Sequence, residues 1–103
     1  MLRGARRRAR ALRVEKEREI IALKVPELDE RLRTKVAEFV AGLRRLELRK
    51  APSIAETLDW ARALVALGIC ELDAEAVRRT MAVLLKHEED VRKAEPKIAA
   101  LRR

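Results

Sequence analysis

Six apolar residues, Leu28, Leu32, Val36, Phe39, Leu43 and Leu46, follow one another at intervals of four, four, three, four and three positions. That rhythm tracks the 3.6-residue turn of an α-helix and draws one apolar stripe. A stretch from Asp29 to about Leu46 can therefore hide its hydrophobic side only as a helix packed on other helices. The rest of the chain agrees, because β-branched alternation and hairpin turn signals are missing. Hydrophobic residues make up 49% of the sequence, yet only Phe39 and Trp60 are aromatic, so the core is expected to be aliphatic. One hundred and three residues suit a single domain. The expected fold is all-α, a small bundle of about four helices.

Punctuation along the chain places those helices. Pro26 closes a first helix over about Val14 to Lys24, because the residue before a proline is biased away from the helical region; the Arg- and Ala-rich run upstream either extends this helix or frays. Asp29 is a good N-cap for the second helix, and the polar stretch from Glu47 to Pro52 is a connection. Ser53 and Glu56 stand at the spacing of a capping box, opening a third helix whose strip of Ile54, Leu58, Ala61 and Val65 is flanked by Trp60, Leu64 and Leu67, with Gly68 as the stop. So broad an apolar face suits the central helix of a bundle, and the neighbours of Trp60 make it a core residue. Asp73 caps a fourth helix with Leu72 and Val77 at staple positions. In that helix Val77, Met81, Leu84 and Val91 are expected to face inward, while Glu88, Glu89, Asp90, Arg92 and Lys93 form a solvated face toward Pro96. A short turn over Lys97 to Arg103 would follow. The organisation predicted is a basic arm over 1–14, a helical domain over 15–94 and a tail over 95–103.

The formal charge of +8 is concentrated at one end. Residues 1–14 hold six arginines and no acid, whereas the other 89 residues hold 19 bases and 17 acids. Such an arm can hold a phosphate backbone by releasing counterions, or be a solvated tail. No basic stripe continues into the body, so nucleic acid is not the expected partner. Cys70 is the only cysteine, which excludes an internal disulfide and points to a reducing compartment; cytoplasm is expected. No apolar stretch approaches the roughly 18 residues of a membrane span, and the basic start leads into no secretory apolar segment.

Catalytic chemistry has little to work with. No G-x-x-x-x-G-K-[ST] string is present to cradle phosphates, so the chain alone is not expected to be an enzyme or to hold a cofactor. His87 follows Lys86 on a charged face and is read as a solvated histidine. Glu88, Glu89 and Asp90 are consecutive, so their side chains diverge on a helix and do not converge on a metal. Cys70 has no basic partner in fixed register and is read as an ordinary thiol.

Two strings stand out against this background: APSIAETLDWARAL, Ala51 to Leu64, and LLKHEED, Leu84 to Asp90. Together with Val25-Pro26 and Leu43-Arg44, in this order, they resemble the C-terminal helical lid of AAA+ ATPases of the MoxR family, in its CoxD-like branch. The likeness runs from about Glu15 to Asp90. It rests on Ser53, on Glu56, Thr57, Asp59 and Trp60 of the E-T-x-D-W signature, and on Leu84, Leu85 and Lys86. Upstream the family has an R-R-C segment, an aromatic-rich strand and a Tyr-Pro step, where this chain has ARRRARALRV. The resemblance implies a lid fragment that helps enclose nucleotide and passes ATP-driven motion to a client. It also implies partners: the missing ATPase core, neighbouring subunits of a ring, and a client with a von Willebrand A-type domain. ATP and magnesium would belong to the parent ATPase. The sensor-2 position, normally arginine, would fall at Ala55 or Glu56, and the nearest downstream arginine, Arg62, lies about two turns into the helix. Two alternatives stay open: a free-standing basic module that binds nucleic acid through residues 1–14, and a helical adaptor for another protein.

Overall fold

The computed structural model describes residues 2–101, with side chains from residue 4 onward, and the described chain is all helical. Five helices succeed one another: α1 (Leu2–Lys24), α2 (Glu30–Arg44), α3 (Ile54–Ala66), α4 (Ala74–Leu84) and α5 (Glu88–Ala99). α1 packs chiefly on α2, α3 on α4, and α5 returns against α4.

Local chemistry sets most boundaries. Asp29 caps α2 by accepting from the Arg31 amide at 3.1 Å, and Asp73 caps α4 by accepting from Ala76 at 2.8 Å. Leu72 and Val77, on either side of the Asp73 cap, are both buried. At the end of α3, Gly68 takes φ of 66°, its amide reaches the Val65 carbonyl and that of Ile69 reaches Leu64, both at 3.0 Å. This paired closure needs a left-handed residue, which glycine supplies without a Cβ penalty.

Leu32, Val36, Phe39 and Leu43 of the α2 stripe are buried, with Leu28 just ahead of the helix, while Leu46, beyond its end, is half-buried. Facing them lie Ile21 of α1, Trp60 and Leu64 of α3, and Val77, Met81 and Leu84 of α4. Trp60 is fully enclosed, its ring centroid 5.7 Å from that of Phe39 at a tilt of 45°. The indole N–H donates to Thr80 Oγ1 at 2.7 Å, and that hydroxyl in turn donates to the Ala76 carbonyl at 2.8 Å, so the polar edge of the ring is satisfied inside the core.

Several expectations are corrected. The expected fourth helix is two, because the chain is extended at Leu85 and His87. Leu84 and Leu85 are both buried. Adjacent residues point about 100° apart on an unbroken helix, and the extended step lets both turn inward. Asp90 is not on a solvated face: with Ala94 and Ile98 it forms the buried side of α5, whereas Val91 is only half-buried. His87 is the half-buried N-cap residue of α5 and makes no side-chain cap bond. Pro96 lies within α5 and does not end it. Proline forfeits one N–H near the end of the helix, and burial of Ile98 one half-turn later holds the last turn in place. At the other terminus α1 is continuous from Leu2 through the arginine-rich segment. Of the two outcomes left open upstream of Val14, the arginine- and alanine-rich run extends the first helix.

Candidate functional site

The residues of the E-T-x-D-W string gather at the start of α3, where the 45–53 connection meets three other helices. Ser53 Oγ accepts from the Glu56 amide at 3.2 Å while Glu56 Oε1 accepts from the Ser53 amide at 2.9 Å, completing the capping box. Lys50 Nζ closes on the other Glu56 oxygen at 3.1 Å. The Ser53 amide, aided by Lys50, holds the Glu56 carboxyl below its usual range despite an opposing desolvation effect. Thr57 is buried, and its hydroxyl donates to the Ser53 carbonyl at 2.9 Å. Asp59 is exposed and pairs only with Arg62, at 3.2 Å.

Two long-range ties hold this corner. Arg44, at the end of α2, donates through Nε to the Pro52 carbonyl at 3.0 Å and pairs with Glu17 of α1 through its other edge. Asp90, fully buried, accepts from the Arg49 amide at 2.7 Å and from the Lys50 amide at 3.0 Å. Burial pushes the Asp90 carboxyl up, but these two amides, with the charges of His87 and Lys93, outweigh it and leave the group below its ordinary range. Asp90 also stands in the first turn of α5, where the helix dipole favours an anion. Lys93 Nζ adds a bond to the Glu47 carbonyl at 2.5 Å, and Arg49 pairs with Glu89 at 3.2 Å across the same seam.

Chemically the corner is a clamp. Both carboxylates are held ionised with their oxygens engaged, so neither is poised to trade protons near neutral pH. On the first turn of α3 Ala55 presents an exposed methyl and Glu56 an engaged carboxylate, and two turns in Arg62 pairs with Asp59. Leu84 and Leu85 are buried, whereas Lys86 is exposed and its Nζ donates to the Val83 carbonyl at 3.2 Å. Ser53, Glu56 and Thr57 are thus brought together, Asp90 is tied to them through the Arg49–Lys50 backbone, and Trp60 lies in the core against Phe39 and Thr80, while Asp59 and Lys86 remain outside the clamp. Among the described residues no group of three or more His, Cys, Asp or Glu side chains is placed to hold a metal, and no helix is long and apolar enough to cross a membrane.

Sequence reasoning missed Asp90, Arg44 and Thr80 as partners. Asp90 had a legible signal, since Ala94 and Ile98 follow it at intervals of four and mark it as the first position of an inward stripe. Arg44 and Thr80 had none, because their partners lie 8 and 20 residues away. Compared with protein-family models, with curated protein sequences and with solved structures, the chain matches none.

Proposed function

We propose that this bundle acts as the helical lid of a MoxR-type AAA+ ATPase, working against a nucleotide-binding core that the 103 residues do not contain. One observation carries the reading. The strings on which the resemblance rests supply the main anchors of the corner at α3: the capping box at Ser53 and Glu56, the buried hydroxyl of Thr57, the core indole of Trp60 and, through LLKHEED, the carboxylate of Asp90. A lid needs such a corner. Its work is to turn a change at the nucleotide into rotation of a rigid body, which requires that a push on the first turn of α3 reach the other helices without loss. Arg44 with Glu17 carries that push to α2 and α1, and Asp90 carries it to α5.

In this reading Ile54 and Ala55, exposed on the first turn of α3, face the nucleotide side and close over it without a charge of their own. Phosphate sensing then falls to the core, which also supplies ATP and magnesium binding and the attacking water. Ring neighbours and a von Willebrand A-type client are the partners that follow from the same likeness.

Complementation tests it. A MoxR-type core from which the lid has been removed is assayed for ATP turnover with and without the 103-residue chain in trans. Turnover should rise with the chain and stay at background with the chain alone or with its Trp60→Ala form. A core that neither binds the chain nor gains turnover from it, or a purified chain that hydrolyses ATP unaided, overturns the reading.

A further inference from the structure

The first half of α1 is an arginine-bearing shaft that the bundle does not use. Val14 is the first described hydrophobic residue to pack against the core, and residues 4–13 continue ahead of it as helix. Arg6, Arg7, Arg8 and Arg13 are exposed and Arg10 is half-buried, and none of the five forms an ion pair or side-chain hydrogen bond with a described residue. At about 100° per residue, Arg6, Arg7, Arg10 and Arg13 share an arc of about 120°. This is the face that Val14, Glu17 and Ile21 turn to the bundle further along, so the stripe continues the packing face past the bundle's edge.

Its electrostatics are adverse in isolation. Arg6 and Arg10 repel across one turn, as do Arg7 with Arg10 and Arg10 with Arg13. They also crowd the N-terminal half of a helix with no acid in its first turn, the end where the dipole disfavours cations. A polyanion removes both penalties. The other side chains decide which polyanion. Between residues 4 and 13 every residue that is not arginine is Gly4, Ala5, Ala9, Ala11 or Leu12. A protein partner would want bulky apolar anchors to bury, and Leu12 alone offers one. A slender shaft of alanine and glycine carrying only guanidinium forks instead matches a groove about 12 Å wide bordered by phosphates, which the forks can grip two oxygens at a time.

We infer that the arginine-rich half of α1 is a docking stripe for the phosphate backbone of duplex nucleic acid, indifferent to base sequence. The stripe is separate from the clamp at α3, so the inference stands whether or not the lid reading does.

Anisotropy titrations of the full chain with labelled duplexes of two unrelated sequences, in DNA and in RNA, test it. The four guanidiniums of the stripe on phosphates give a log–log salt slope of about −3.5, a loss of roughly a hundredfold or more in affinity between about 50 and 200 mM salt. The triple variant Arg6→Gln, Arg10→Gln, Arg13→Gln should bring the slope to about −1, and lysine at the same positions should restore it. Removing equal charge from the bundle through Arg31→Gln, Lys35→Gln and Arg79→Gln should leave it unchanged. Circular dichroism should show both triple variants folded. A slope that responds to the bundle triple and not to the arm triple, or polyglutamate competing as well as duplex per unit charge, overturns the inference.

Discussion

The corner at α3 and the first half of α1 are opposite solutions to the placing of charge. At the corner, Asp90, Glu56, Lys50 and Arg44 each meet a partner within 3.2 Å. On the shaft, the five arginines meet none among the described residues. A buried carboxylate costs stability unless satisfied, so Asp90 holds the 45–53 connection where the Arg49 and Lys50 amides meet it. Exposed charges cost little and fix nothing, which leaves the shaft available for a partner. The fold and any binding by the arm therefore reside in different residues and should separate by mutation.

The largest expected effect lies in the core that the corner leans on. Trp60→Ala should destabilise the protein by about 3–5 kcal/mol, the range for deleting a large buried aromatic, and urea titration followed by circular dichroism measures it. Trp60→Phe retains most of the packing but loses the bond to Thr80, and should cost about 1 kcal/mol. A Trp60→Ala protein that melts like the parent would place the indole at a surface and break the comparison at its root.

Asp90 gives the next effect, and it depends on pH. Its folded pKa lies below the unfolded one, as does that of Glu56. Their contributions are complete above the unfolded carboxylate range near about 4 and are lost as pH falls through the depressed folded values, with the unfolded chain binding more protons. Thermal melts should thus show stability dropping on the acid side, and Asp90→Asn should flatten that limb while lowering the melting temperature at pH 7. Asp59→Asn, which touches only the exposed Arg62, should change neither by a comparable amount. Equal effects from the two substitutions would mean that burial of Asp90 does not hold the 45–53 connection.

How far the sequence discloses this structure depends on the range of the interaction. The α2 stripe, the caps at Asp29, Ser53 and Asp73, and the stop at Gly68 are all local: each is decided within about four residues, and each is legible. The break at Leu85 to His87 contains neither glycine nor proline, and only the demand that Leu84 and Leu85 both be buried, with Asp90 turned inward, separates α4 from α5. That demand comes from tertiary packing. The corner shows the same divide: its capping box lies in plain view, whereas the amides that hold Asp90 are 40 and 41 residues distant. A row of three acids reads as solvated until a chain segment from another part of the molecule presents its N–H groups to one of them.

A smaller effect belongs to the cap itself. Ser53→Ala removes the acceptor for the Glu56 amide and should cost about 0.5–2 kcal/mol, as N-cap deletions do. Ser53→Thr should retain most of that stability, since its hydroxyl can accept the same bond and donate to Glu56 as the serine does. Chemical denaturation of the two variants side by side would sharpen the comparison by showing how much of the corner's strength is local cap and how much is the long-range tie at Asp90.

The smallest effect on stability should come from the shaft. Deleting residues 1–13 removes no residue shown to pack against the core, and the arginines it takes away repel one another beside the unfavourable end of a helix dipole. The unfolding free energy should stay within about 0.5 kcal/mol of the parent. Any shift at low salt should be a gain, because like charges have been removed and salt is no longer needed to screen them. The helical signal should fall only by the share those residues contribute, while Trp60 fluorescence stays that of a buried indole. A shortened protein that loses several kcal/mol, or whose indole becomes exposed, would mean that the shaft holds the bundle together, and the division of labour between the two regions would be lost.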